Sequence, residues 1–270
     1  MISRFERTVN YVVLGIFAAL VVVPLVLLLL TALSPKASGE PVLTNLRWDN
    51  FATAWNQSNF GSHLLISATV SISVVLVTIV ITPLAGYAIG ILRIPGHRIL
   101  FILFLAGIMI PLEGVIVPLY FTLRATPFAS TIFALLIAHS GLSVSFGVFW
   151  MRAAFRAIPV NLLESARIDG AGPFRILRSI VLPLTQPSII TLGLLTFMWT
   201  WNDFFLAFVL INNPDQLPVT VALGQFATKY TNQINLMSAA AILVAVPIVA
   251  IYIVFQRRFI EGVLSGALKG

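Results

Sequence analysis

The chain has 270 residues, 59% of them apolar and only 9% charged, with a formal net charge of +7. Soluble domains are about 25% charged, so a soluble globular enzyme is excluded, and so is intrinsic disorder, which needs low hydrophobicity and high charge. The absence of cysteine removes disulfides, thiolate nucleophiles, Cys-ligated zinc and iron–sulfur clusters from consideration.

A membrane-spanning helix needs about 20 mostly apolar residues, because lipid offers the backbone no hydrogen-bond partners. Six stretches satisfy this: 11–33, 64–92, 99–123, 131–151, 187–210 and 237–255. An all-α membrane protein with six spans in a single domain over 1–270 is the expected fold. The first span is too long for the core of a secretory signal and lacks a good cleavage site, so an uncleaved span is expected. Gly86 and Gly90 in the second stretch have the spacing of a helix-packing pair.

Orientation follows from the basic residues of the short loops. With a cytoplasmic N-terminus, the inside receives Arg4, Arg7, Arg93, Arg98, Arg152, Arg156, Arg167, Arg175, Arg178, Arg257, Arg258 and Lys269. The outside receives Lys36, Arg47, Arg124 and Lys229. Both termini are therefore expected in the cytoplasm, and the positive charge reads as topology without any nucleic-acid partner.

Three ionisable residues fall inside the apolar stretches, where such groups are costly and default to a functional role. At 1.5 Å per residue, Glu113, His139 and Asp203 stand roughly 15, 12 and 10 Å from the outer ends of their spans. With Trp199, Trp201 and Asn202 they form one candidate layer lining a translocation path. Carboxylates there would accept sugar hydroxyls, and tryptophan faces would stack on sugar rings. The structural alternative is that Asp203 pairs with His139 or a partner subunit, and that Glu113 caps a helix broken near Pro111 and Pro118. The outer loops at 34–62 and 211–236, with Trp48, Trp55, Asn212, Asn213, Gln216, Gln225 and Tyr230, read either as a docking surface or as plain solvated loops.

Between spans four and five lies one long loop, 159–186. Pro159 and Asn161 announce a helix start, with Glu164 at capping-box spacing from Asn161. The run 162–169 makes about two turns before Gly170-Ala171-Gly172-Pro173 breaks it. A second short helix over 174–180 then meets Pro183, which forbids a straight continuation. Leu162, Leu163, Ala166 and Ile168 are apolar beside Arg167 and Asp169, a pattern suited to a groove in another protein.

Glu164-Ser165-Ala166, Gly170, and then Ile180-x-Leu182-Pro183 after nine residues resemble the EAA loop of bacterial ABC-importer permeases, with Ser165 where alanine is usual. Ile168-Asp169-Gly170-Ala171, Leu182-Pro183-Leu184, Trp201-Asn202-Asp203-Phe204 and the tail 256–270 resemble the maltose/glycerol-phosphate-type carbohydrate branch, most closely its second permease subunit. The resemblance implies a heteromeric importer of the bacterial inner membrane. Its partners would be a second homologous permease, an ATP-binding subunit dimer and an extracytoplasmic solute-binding protein. It assigns Glu164, Ser165, Ala166, Asp169, Gly170, Ile180, Leu182 and Pro183 to ATPase coupling, with closure of the ATPases rocking the spans from inward- to outward-open. No phosphate-cradling loop occurs in this chain, so ATP and Mg would belong to the partner ATPase. His63, His97 and His139 lack metal-ligand spacing. Two other readings stay open on the residues alone. One is a stand-alone transporter or channel that uses Glu113 or Asp203 in a proton relay; the other is an intramembrane enzyme acting on a lipid-linked sugar through the same carboxylates.

Overall fold

The structure is a computed structural model that describes residues 4–57, 59–229 and 232–267, without the side chains of 226–228 and 258–267. Tyr230, Lys269 and the end of the tail lie outside the described residues, as does the side chain of Arg258. The described residues contain helices and connecting segments and no strand. In order these are α1 (Arg4–Ala32), α2 (Asp49–Gln57), α3 (Phe60–Tyr87), α4 (His97–Met109), α5 (Leu112–Arg124) and α6 (Ile132–Arg156). They continue with α7 (Val160–Ile168), α8 (Pro173–Ile176), α9 (Leu182–Leu184), α10 (Gln186–Asn202), α11 (Phe205–Leu210), α12 (Val219–Lys229) and α13 (Ile234–Ala267). Two π-helical segments, Ala88–Leu92 and Leu177–Val181, extend α3 and join α8 to α9.

Among the described residues four helices are long and apolar enough to cross a membrane: α1, α3 with its π extension, α6 and α13. The number rises to six if each of two bent helix pairs counts as one span. The first bent pair replaces the straight span expected over 99–123. Here α4 and α5 meet at 100°, because Pro111 cannot donate a backbone hydrogen bond and forces the preceding residue out of the helical region. Ile110 accordingly has ψ 120°. The depth of Glu113 counted along a straight helix does not survive this bend.

The expected span 187–210 is also interrupted. α10 stops at Asn202, Asp203 is extended with ψ 126°, and a separate short α11 follows. The cause is local polar competition with the helix. The Asn202 side chain donates to the Met198 carbonyl at 2.8 Å, while Asp203 turns its carboxylate forward onto the next helix. At the other end, the helical run Pro173–Leu184 and α10 meet at 74°, with Thr185 between them, two residues after Pro183.

The chain divides into two compact units, residues 1–61 with 222–247, and residues 62–221 with 248–270. In the first, the carbonyls left open at the end of α1 are satisfied by asparagines. Asn50 donates to Ala32 and Ser34 at 2.8 and 2.9 Å, and Asn235 donates to Ser34 at 3.1 Å. In the second unit, α6 is the central helix and carries a separate apolar core at each end. Ala134, Leu135 and Ala138 pack with residues of α3, α5 and α11. Met151 and Phe155 pack with Tyr87, Leu163, Ala166, Ile176, Leu177, Val181 and Leu192.

Close helix approach sets the rest of this unit. A Cβ on Gly147 would lie 2.5 Å from the Thr82 methyl, and one on Gly86 would lie 3.1 Å from the Arg152 backbone nitrogen. The pair Gly86 and Gly90 thus packs α3 and its extension against α6. Arg152 sets its guanidinium 3.7 Å from the Phe101 ring centre on α4, a cation–π contact.

Candidate coupling surface and translocation cleft

The segment 159–186 is built so that one side is fixed and the other open. Leu163 and Ala166, three residues apart on α7, are 7% and 8% exposed and face the core under α6. Ile176, Leu177 and Val181 join them there, and Ile180 and Leu182 pack against the same cluster. Tyr87 at the end of α3 donates its hydroxyl to the Pro173 carbonyl at 2.9 Å, tying α8 to α3. The opposite side of α7 is solvent-open. Glu164, Ser165, Asp169 and Gly170 are exposed, Ile168 is 86% exposed and Phe174 69%.

Gly170 ends α7 with φ +79°. Its N–H bonds the Arg167 carbonyl at 3.0 Å, and the Ala171 N–H reaches back to Ala166 at 2.9 Å. These are the two bonds of a Schellman cap, which needs a left-handed residue at this position. Pro173 then opens α8 at its first position, where its missing N–H costs nothing. The coupling residues predicted from sequence therefore fall into two sets. Ala166, Ile180 and Leu182 fix the segment to the core, whereas Glu164, Ser165, Asp169 and Gly170 lie on the open side, and Pro183 is also exposed.

The predicted intramembrane layer is only partly assembled. A cleft of about 410 Å³ is lined by the α4–α5 break (Ile110, Pro111, Leu112), by His139, Ser143 and Phe146 of α6, and by Trp199, Thr200 and Asp203. His139 Nε2 lies 3.6 Å from Asp203 Oδ2, which is the structural pairing raised above. Asp203 also accepts from the Leu206 and Ala207 N–H groups at 3.4 and 3.2 Å, capping α11, and its carbonyl accepts from Thr220 at 2.7 Å. Trp199 is half exposed and meets Phe146 edge-on at 4.9 Å.

Other members of that layer lie elsewhere. Glu113 is exposed on the first turn of α5, where the helix dipole favours a carboxylate, and it does not line the cleft. Asn202 is exposed and bonded to its own helix, and Trp201 is buried and stacked on Phe197. Sequence reasoning missed Ser143 and Phe146, although residues 139, 143 and 146 share one helical face.

In the outer loops several polar residues have structural partners. Gln216 accepts from the Ile132 N–H at 3.0 Å at the start of α6, Ser130 accepts from the Asn212 N–H at 3.3 Å, and Asn213 accepts from the Asp215 N–H at 3.1 Å. Trp48 remains 65% exposed.

The family model for the inner membrane component of binding-protein-dependent transport systems matches residues 83–264. The chain belongs to this family. It is therefore a membrane transport component and not an enzyme. Among its relatives is the diacetylchitobiose uptake system permease protein NgcG of Streptomyces coelicolor, 27% identical over 275 residues, covering 99% of this chain and 90% of the relative. The trehalose transport system permease protein SugB of Mycobacterium tuberculosis is 28% identical, covering 99% and 98%. In fold the chain matches a bacterial ABC transporter involved in import of the acidic polysaccharide alginate, with a TM-score of 0.80 at 23% sequence identity, covering 96% of this chain and 99% of that one.

Proposed function

We propose that this chain is one of two different permease subunits in an ABC importer for a carbohydrate or sugar-like solute, and that it is driven through the 159–186 segment by a separate ATPase pair. The observation that carries the reading is the two-sided construction of α7. Its inner side is held by Leu163 and Ala166, and its outer side leaves Ile168 86% exposed next to a capped, sharply ended helix. An interfacial lipid helix has no need of a Schellman turn and a tyrosine tether. A helix that must transmit displacement does, because force applied at Ile168 reaches α3, α6 and α10 through the buried cluster.

Six spans, with α4–α5 as the third and α10–α11 as the fifth, and cytoplasmic termini accompany this reading, the latter supported by the arginine-rich loops on the side of α7. In this reading the chain sits in the bacterial inner membrane, with ATP and Mg on the ATPase subunits and a solute-binding protein outside. The transport substrates named for NgcG and SugB support a sugar-class solute. The cleft of about 410 Å³ falls within the roughly 300–1,000 Å³ of small-molecule sites, and Trp199 with Phe146 supplies aromatic surface beside the polar His139–Asp203 pair. Asp203 then acts first as the cap that shapes the cleft wall.

Copurification of the full chain with a second permease and the ATPase, followed by ATP hydrolysis measured with and without the binding protein, tests the reading. Stimulated hydrolysis in the four-component assembly is expected. Ion-coupled transport by the chain purified alone would refute it.

A further inference from the structure

A second cleft, of about 470 Å³, opens where the ends of α3 and α6 meet α7. Its accessible apolar lining includes Leu92, Ile158 and Val160, and three cations line it as well: Arg93, Arg156 and Arg167. All three arginines are exposed. Among the described residues no carboxylate lines this cleft and none of the three is in an ion pair. Three like charges converge on one concave surface, and among the described residues no carboxylate pairs with them.

Their positions at the ends of apolar helices point to the kind of anion they suit. Arg93 directly follows the apolar stretch Phe60–Leu92, and Arg156 is the last residue of the apolar stretch Ile132–Arg156. A residue at the end of an apolar span falls at the level of lipid headgroups, and Arg167 reaches the same cleft from α7. Arg93 is held in the left-handed region at φ 50°, with its N–H returned to the Ala88 carbonyl, a conformation for which glycine is the usual residue. Guanidinium groups form paired hydrogen bonds to phosphate oxygens, and basic pockets between helices at a membrane face suit anionic headgroups.

We propose that this cleft binds the headgroup phosphate of an anionic phospholipid, with the lipid's glycerol and first acyl carbons against Leu92, Ile158 and Val160. A phospholipid fits better than an acidic protein segment because two of the three cations are at span ends and the lining between them is apolar. Through Val160 the bound lipid would also touch the first turn of the coupling helix.

The probe is phosphatidylglycerol, with phosphatidylcholine as the neutral comparison, titrated into the detergent-solubilised full chain and read by native mass spectrometry. The wild-type chain is expected to retain phosphatidylglycerol in preference to phosphatidylcholine. The single variants R93Q, R156Q and R167Q are expected to weaken that binding roughly fivefold each, and the triple variant roughly a hundredfold. R98Q, whose arginine lies outside the cleft lining, is expected to leave it unchanged. Thermal unfolding of each single variant shows that loss of lipid is not loss of fold. Equal binding of the two lipids by the wild-type chain overturns the proposal, as does a triple variant that keeps the preference. So does displacement of the lipid by inorganic phosphate at equal concentration, which would make this a free-anion site. Loss of ATPase copurification in the triple variant with lipid binding intact would assign the cleft to a protein partner and equally overturn it.

Discussion

Substitution of Ile168 separates docking from folding. The side chain is 86% exposed, so nearly all of the roughly 1.5–3 kcal/mol available from burying an isoleucine is left for a partner. Ile168→Ser should therefore cost the fold within about 0.5 kcal/mol, as surface substitutions do. It should weaken association with the ATPase by about 2 kcal/mol, or roughly 30-fold. Leu163, five residues earlier on the buried side of α7 and 7% exposed, should behave in the opposite way: Leu163→Ala leaves a cavity and costs about 2–5 kcal/mol of stability. The assay pairs ATPase binding to the detergent-solubilised chain with thermal unfolding of the same preparations. A folded Ile168→Ser variant that binds the ATPase as tightly as wild type would refute the two-sided reading of α7.

Tyr87→Phe removes the bond to Pro173 and should cost about 0.5–1.5 kcal/mol; the expected signature is ATP hydrolysis preserved while transport per ATP falls, measured in reconstituted vesicles. Gly147→Ala places a methyl against Thr82 and should lower the unfolding temperature by an overpacking cost of about 1–3 kcal/mol. Asp203→Ala removes both caps on α11 and should destabilise by about 1 kcal/mol, whereas Asp203→Asn keeps one acceptor oxygen and should transport better than the alanine variant. Equal transport by Asp203→Ala and wild type would remove this residue from the path. Because the natural chain has no cysteine, a single Trp48→Cys variant should react with a membrane-impermeant maleimide in intact cells, and a single Ile168→Cys variant should not.

The parts of the molecule legible in sequence were those where one residue type has one physical use. Gly170 could be read as a helix stop because a left-handed cap favours glycine, and Pro173 as a restart because proline fits the first turn. The inward and outward sides of α7 were not legible: Leu162, Leu163, Ala166 and Ile168 look alike in hydropathy, and only packing under α6 divides them. Pro111 and Pro118 suggested a broken helix, but Pro118 sits inside α5 and the 100° bend falls at Pro111 alone. Hydropathy sums ran straight through Asn202 and Asp203, since the residues flanking the pair are apolar; the break depends on the Asp203 carboxylate finding the Leu206 and Ala207 N–H groups. Trp199 and Trp201 looked equivalent as ring-stacking candidates. Two residues of helix turn them to opposite environments, one half exposed at the cleft and one buried on Phe197.

The central claim is that the open side of α7 is the seat of an ATPase. A single Ser165→Cys variant, with its exposed position beside Glu164, reports on this directly when treated with a polar maleimide before and after assembly with the ATPase pair and second permease. Fast labelling of the chain alone and protection in the assembled complex is the predicted result, with Trp48→Cys labelled equally in both. Equal labelling of the Ser165→Cys variant in the presence and absence of bound ATPase would contradict the account.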